Sequence, residues 1–381
     1  MSIFSNAINK APREPAIYQP RIGELDGLRG IAIIVVVIFH YVNNQLVHSE
    51  YLLGKALYKI TSFGWVGVDL FFVLSGFLIG SILIREKYSK KYFSTFYIRR
   101  IVRIVPNYYL FLILYSALLF TRVGSENSFI GGNTTIPLWS YFLMVHNLYM
   151  GHLDNMGYEA LSITWSIGIE EQFYIFMPFI VYFTRRTILP FLLLCIIMIA
   201  PFLRITYNTW VPTYVLPTSR MDSLAFGVLV AWAHFQYNLK AIVQKNLLLL
   251  VSAFFVTVLL CAFFFVRYGD LGTIKHSLFG IIFSLLVVFA LTYTNSWYAK
   301  FLQNPVLRLI GTISYSLYLF HYLILGLAHY IISKKTNIGI ANITDVGVTI
   351  FALACSFLFA WFVYKKLEIP MVNFGKKFKY I

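Results

Sequence analysis

Apolar residues run along this chain in long blocks separated by short polar or basic connections. The blocks fall at about 28–47, 63–84, 104–121, 164–183, 188–203, 218–236, 247–267, 275–293, 310–330 and 345–364. Each approaches the roughly 20 residues that a helix needs to cross hydrocarbon. In lipid the backbone must satisfy its own hydrogen bonds, so a helix is the expected element in every block. The prediction is an all-α polytopic membrane protein of about ten transmembrane helices. A shorter piece, Leu138–Met150, is too short to cross and reads as a re-entrant or interfacial segment in the longest external stretch, about 122–163.

Charge orients these spans. With the N-terminus inside, the inner set holds Lys10, Arg13, Arg21, Arg29 and the seven basic residues from Arg85 to Arg103. Arg185, Arg186, Lys240, Lys245, Lys300, Arg308, Lys365, Lys366, Lys376, Lys377 and Lys379 complete it, giving 22 of the 31 Lys and Arg. That asymmetry predicts both termini in the cytoplasm. The organisation expected is a cytoplasmic N-terminal segment over 1–27, one transmembrane domain over 28–364 and a basic cytoplasmic tail over 365–381. The first 27 residues hold Glu14, Glu24, Asp26 and three prolines. With no apolar core there, no cleavable signal peptide is expected, and the first span acts as an anchor.

Composition narrows the classes. The chain is 59% hydrophobic and 12% charged with a mean hydropathy of +0.73, against about 25% charged residues in soluble domains. A soluble enzyme, a disordered chain and a nucleic-acid-binding protein are excluded. The net charge of +16 is mainly topological, with membrane lipids as the expected partners. Cys195, Cys261 and Cys355 each lie inside an apolar run without a CxxC pair or a neighbouring His, so neither disulfides nor a metal site is expected.

Ionisable side chains within a bilayer are costly, which makes each one a functional candidate. His40 lies in the first span, Asp69 near the outer end of the second, and Glu170 and Glu171 in the fourth. Arg220 and Asp222 open the sixth, and His321 stands in the ninth. His40 is eleven residues after Arg29, a rise of about 16 Å along a helix. The shared depth predicts one polar cavity open to the exterior. Arg220 and Asp222 read equally as an ion pair capping their span, and Glu171 reads as lining solvent. At the inner face, Arg100 and Arg103 are three residues apart and share a helical face, with Arg99 beside them. Such a fork suits a phosphate-bearing ligand, although lipid headgroups would also satisfy it. Gly64, Gly67, Ser75, Gly76 and Gly80 form a small-residue face for close helix packing. Ser75 is a weaker candidate nucleophile.

These segments resemble the acyltransferase-3 family of integral-membrane O-acyltransferases in six blocks and in the family's order. ELDGLRGIAIIVVVIFH carries Arg29 and His40, GWVGVDLFFVLSGFLIG carries Asp69, and FYIRRIVRIVP carries Arg99, Arg100 and Arg103. TWSIGIEEQFY supplies Trp165, Ser166, Glu170 and Tyr174, RMDSLAFGVLVAW supplies Arg220 and Asp222, and ISYSLYLFHYLI supplies His321. Where the family often has a proline after that histidine, Leu323 stands here. The resemblance implies transfer of an acetyl group from cytoplasmic acetyl-CoA to a hydroxyl of an extracytoplasmic carbohydrate. The acceptor would be an O-antigen, an exopolysaccharide or another envelope glycan, free or lipid-linked, at a bacterial inner membrane. Some members carry an additional extracytoplasmic hydrolase-like domain. Because this chain stops at Ile381, a one-component enzyme is expected.

On that reading His40 is the general base, with Glu170 orienting it or serving as the base itself. Arg29, Arg99, Arg100 and Arg103 hold the coenzyme A phosphates. Asp69 and His321 shape the catalytic cavity, while Arg220, Asp222, Trp165 and Tyr174 meet the acceptor. No metal is required. Rival readings are acylation of a small molecule such as a macrolide and, in another class, a secondary transporter of a polar solute. The two halves show no convincing repeat, which disfavours the transporter. Direct transfer and an acyl-enzyme both remain open, as do the acceptor sugar, the acyl group and the oligomeric state.

Overall fold

The computed structural model describes residues 22–132, 134–268, 272–336 and 338–381. Most of the expected N-terminal segment, with Lys10, Arg13 and Arg21 of the inner basic set, lies outside the described residues. Among the described residues every regular element is helical and none is a strand. The principal helices are α1 (Gly23–Ile38), α2 (Gly67–Glu86), α3 (Tyr92–Leu119), α4 (Trp165–Phe183) and α5 (Leu189–Ile205). They continue as α6 (Pro217–Gln236), α7 (Leu247–Tyr268), α8 (Lys275–Thr292), α9 (Ser314–Ser333) and α10 (Ile343–Val363).

Seven of these, alone or with a short flanking helix, are long and apolar enough to cross a membrane: α1, α2, α3, α7, α8, α9 and α10. The other three differ for visible reasons. Helix α5 is apolar but short. Helix α4 is diluted by Ser166, Glu170, Glu171 and Gln172, and α6 by Ser219, Arg220, Asp222 and Ser223. Between Pro137 and Asp154 the short apolar piece forms two small helices, Leu138–Phe142 and His146–Leu153. They are joined through Met144 in the left-handed region (φ 55°).

Two boundaries move from their expected places. Helix α3 starts at Tyr92, so Arg99, Arg100 and Arg103 lie within the helix rather than ahead of it. The run at 310–330 is split, because Pro305–Thr312 is a separate short helix ending before α9 begins at Ser314. Asn304 caps that short helix through Val306 and Leu307. Pro305 at its first position is compatible with a helix start, where its missing N–H has no partner to lose.

Close approach positions α2 against α6. A Cβ at Gly76 would overlap the Leu224 carbonyl, and one at Gly227 would overlap the Val73 carbonyl. Only hydrogen at these two sites lets the backbones meet, the small-residue packing that membrane helices favour. The apolar residues of helix α2 are spread around its axis and most of the helix is buried, as befits a central helix, with Asp69 and Ser75 as its buried polar positions. One core joins α1, α3, α9 and α10 to the long connecting segment, and a second joins α1, α2, α4, α5, α6 and α8. At the basic end of the bundle Lys87 Nζ donates to the Thr184 carbonyl (2.5 Å), and Trp232 Nε1 to the Arg186 carbonyl (2.8 Å). Helix α1 leaves that end and finishes in a π-turn, Phe39–Asn43, which carries His40. Such widened turns re-aim side chains and often mark functional positions.

Candidate active site

The expected ionisable residues separate into three groups rather than one. The first is built on the α1 π-turn and α9. His40 Nδ1 lies 3.0 Å from His321 Nε2, and the His40 ring rests on Tyr322 with centroids 4.7 Å apart. Tyr322 donates its hydroxyl to Glu159 Oε1 (3.1 Å). Glu159 belongs to the segment between α3 and α4; burial raises its carboxyl above the usual range, and the Tyr322 hydrogen bond opposes that. Tyr41 donates to the His321 carbonyl (2.8 Å) and meets Ser356 Oγ (2.8 Å), tying α1 to α9 and α10. His321 is fully buried, whereas His40 is half-buried.

The second group lies toward the basic end, between α1, α2, α3 and α4. Ser75 Oγ and Tyr174 OH are 2.7 Å apart. The Glu170 carboxylate sits beside both, within electrostatic reach of Arg29 and Arg103. Glu171 faces Arg100 as well as Glu170, and its Oε1 is buried without a hydrogen-bond partner. It is therefore part of this group rather than solvent lining. The Arg100 guanidinium lies over Phe96 (5.9 Å), and its Nε also lacks a partner. Arg99 is engaged differently. Its Nε and Nη2 donate to the Phe378 carbonyl (2.9 and 2.6 Å), and its guanidinium covers Tyr380 (5.0 Å).

The third group is sealed. Arg220 Nη2 pairs with Asp69 Oδ1 at 3.0 Å, both side chains having no exposure. Ser223 donates to the same oxygen (2.9 Å), and His276 Nδ1 lies 3.3 Å from Oδ2. Phe72, Trp165 and Tyr214 surround the guanidinium at 5.5, 5.3 and 5.2 Å. Beside it Arg204 Nη2 pairs with Asp222 Oδ2 at 2.9 Å, and Ser277 donates to that oxygen at 2.6 Å.

Three geometric expectations are corrected. Arg220 and Asp222 do not pair with each other, since two residues along a helix point about 200° apart; each takes a partner on another helix. The shared cavity is replaced by separate groups because depth alone does not fix which helices are neighbours. Glu170 stands among arginines, and the ring nitrogen of His40 meets His321 instead. Sequence patterning does not single out Arg204, His276, Tyr322 or Glu159. The first two sit at span ends, where a charge reads as a flank. Tyr322 directly follows His321 and was available as a signal.

His146, in the segment between α3 and α4, is buried against Tyr141 (ring centroids 4.5 Å) and bonded to Thr164 (3.0 Å). Burial pushes its pKa down to about 4. It is a neutral structural element of that segment.

Chemically, the first group offers an imidazole on a half-buried residue with a fixed partner, and the second offers cations around a carboxylate. The third offers no open surface. A family profile described as an acyltransferase domain matches residues 22–365. O-acetyltransferase OatA of Staphylococcus aureus (strain NCTC 8325 / PS 47) is 27% identical over 382 residues, covering 95% of this chain and 59% of that protein. A second protein, from S. aureus strain MRSA252 and provisionally named an O-acetyltransferase, is 27% identical over 378 residues, covering 93% of this chain and 59% of its own length. The chain thus spans less than two thirds of the curated relatives it matches. No solved structure matches it. With the profile extending from the start of α1 past the end of α10, the chain belongs to the acyltransferase-3 family.

Proposed function

We propose that this chain is a membrane O-acetyltransferase that moves an acetyl group from cytoplasmic acetyl-CoA to a hydroxyl of an extracytoplasmic carbohydrate in the bacterial envelope. The observation carrying this reading is the division of polar groups along the bundle. A half-buried imidazole stands at the α1 π-turn, and Arg29, Arg100 and Arg103 gather toward the basic end. Ten crossings, with both termini on the cytoplasmic side, would set the arginines at the donor face. The rise of about 16 Å from Arg29 to His40 is then the path of the pantetheine arm.

In the reaction, His40 takes the proton of the acceptor hydroxyl as its oxygen bonds to the acetyl carbonyl carbon. The carbon–sulfur bond breaks, and the coenzyme A thiolate leaves with the proton returned by His40. The products are the acetyl ester and the free thiol. Arg100 and Arg103 would hold phosphate, with the unpartnered Arg100 Nε supplying a donor. Glu170 would hold Arg29 and Arg103 in place. Asp69, Arg220, Asp222 and Trp165 would keep the helices in register.

The test is radiolabelled acetyl transfer by purified protein in detergent, together with mass spectrometry of surface glycans from cells with and without the gene. Loss of an acetyl mass in the deletion and loss of transfer in His40→Ala support the reading. Normal transfer by His40→Ala removes His40 as the base, and an unchanged glycan spectrum removes the acceptor class.

A further inference from the structure

We infer that His321 is a positioning residue that holds His40 in a single tautomer, with Nδ1 carrying the hydrogen and Nε2 left bare as the base. The inference rests on the reading of His40 given above and deepens it.

The polarity is fixed by the backbone. His321 Nδ1 lies 3.0 Å from the Leu317 carbonyl and 2.8 Å from the Tyr318 carbonyl. A carbonyl oxygen can only accept, so Nδ1 of His321 must carry hydrogen. In the neutral ring the other nitrogen then has only a lone pair. That nitrogen, Nε2, faces His40 Nδ1 at 3.0 Å, so His40 Nδ1 must be the donor. The Val36 carbonyl, one turn earlier on α1, is a further acceptor within reach of the His40 ring. With its hydrogen at Nδ1, neutral His40 keeps its lone pair on Nε2, and no described residue hydrogen-bonds to that atom.

The opposite polarity would require His321 to be charged on both nitrogens. Its ring has no exposure, and the rings packed on it are His40, Tyr41, Tyr318 and Tyr322, none of them an anion. A buried cation without an anion is strongly disfavoured. The neutral chain therefore runs one way, from the α9 carbonyls through His321 to His40. It serves as the orienting carboxylate does in a serine–histidine–aspartate triad, but without a charge. Its anchors are rigid: Tyr41 binds the His321 carbonyl, and Tyr318 OH donates to the Ile163 carbonyl (2.7 Å). When His40 accepts the hydroxyl proton at Nε2, its Nδ1–H still donates to His321, and no proton need leave the pair.

The experiment compares His321→Gln and His321→Leu in the purified full-length chain. Glutamine can place an acceptor oxygen near the former Nε2, and leucine cannot. A wrong tautomer in a triad costs up to about 10⁴ in kcat. His321→Leu should therefore lose about 10²–10⁴-fold in kcat while the KM for acetyl-CoA stays within about twofold. His321→Gln should recover about tenfold or more of that loss. Equal rates in the two variants, or near-normal kcat in the leucine variant, overturn the inference. Nitrogen-15 NMR of labelled histidines in the unsubstituted protein reads the tautomer even where the leucine variant fails to fold. A protonated Nδ1 and bare Nε2 on His40 are expected, and the reverse assignment overturns the inference. Activity retained by His40→Ala would instead sink the base assignment while the NMR assignment still decides the tautomer.

Discussion

The sealed Arg220–Asp69 pair is the place where a structural role and a substrate-binding role make opposite predictions. Replacing Arg220 with Met removes the guanidinium while keeping an unbranched side chain against Phe72, Trp165 and Tyr214. Asp69 would then retain only the Ser223 hydroxyl at 2.9 Å and His276 at 3.3 Å. An anion left in that fully buried site should destabilise the fold by about 3–5 kcal/mol. Asp69→Asn keeps an oxygen for Ser223 but strands the guanidinium, so its cost should be of the same order, about 3–5 kcal/mol. The double variant removes both charges at once and should cost well below the sum. A coupling energy of about 2 kcal/mol or more is expected for groups in direct contact. Denaturant-induced unfolding of the purified protein, followed by tryptophan fluorescence, measures all three. Trp165 lies over Arg220, and the Trp65 ring is 5.5 Å from His276, so both report locally. Additive single variants, or a loss below about 1 kcal/mol in either one, would refute the reasoning. A raised acceptor KM in Arg220→Met with unchanged stability would restore Arg220 as a substrate contact.

Three further outcomes are expected. Gly227→Val forces a branched side chain into the Val73 carbonyl of α2; overpacking of about 1–3 kcal/mol or more should reduce the yield of monodisperse protein, and a normal yield would contradict the close approach. Arg100→Ala should raise the KM for acetyl-CoA by about 10-fold or more, since a hydrogen bond to a charged group contributes roughly 1.5–3 kcal/mol; an unchanged acetyl-CoA dependence removes it from the donor site. His146, held neutral with its pKa down at about 4, contributes stability that is complete above the unfolded value near 6.5 and lost as pH falls toward 4. The loss is at most about 3.4 kcal/mol, and the protection of the amides over residues 141–164, taken as the exchange rate relative to the intrinsic rate at each pH, should fall between pH 7 and pH 5; unchanged protection would show that the ring is not sealed.

Hydropathy reads one coordinate, depth, and that is why the all-helical character was legible while the partners of the charged residues were not. Hydropathy sets His40 and Glu170 at similar heights, yet they stand in different groups because neighbouring is decided by rotation about each helix and by contacts such as Gly76 against Leu224. Some of this was accessible: a separation of two residues already forbids an Arg220–Asp222 pair on one helix. The partners actually taken, Asp69 and Arg204, come from α2 and α5, and no spacing rule reaches across helices. Exposure is the property that sorts the candidates, and it belongs to the assembled bundle. His40, Arg29, Arg100, Arg103 and Glu170 all retain some accessibility, whereas Asp69, Arg220 and Asp222 have none. A group that must exchange a proton or hold a phosphate needs a free lone pair or donor at a surface, whereas one that locks helices together works best when every donor and acceptor is spent. The same residue types in the same sequence therefore carry two opposite requirements. The unpartnered nitrogens of His40 and Arg100 belong to the first, and the saturated carboxylate of Asp69 belongs to the second.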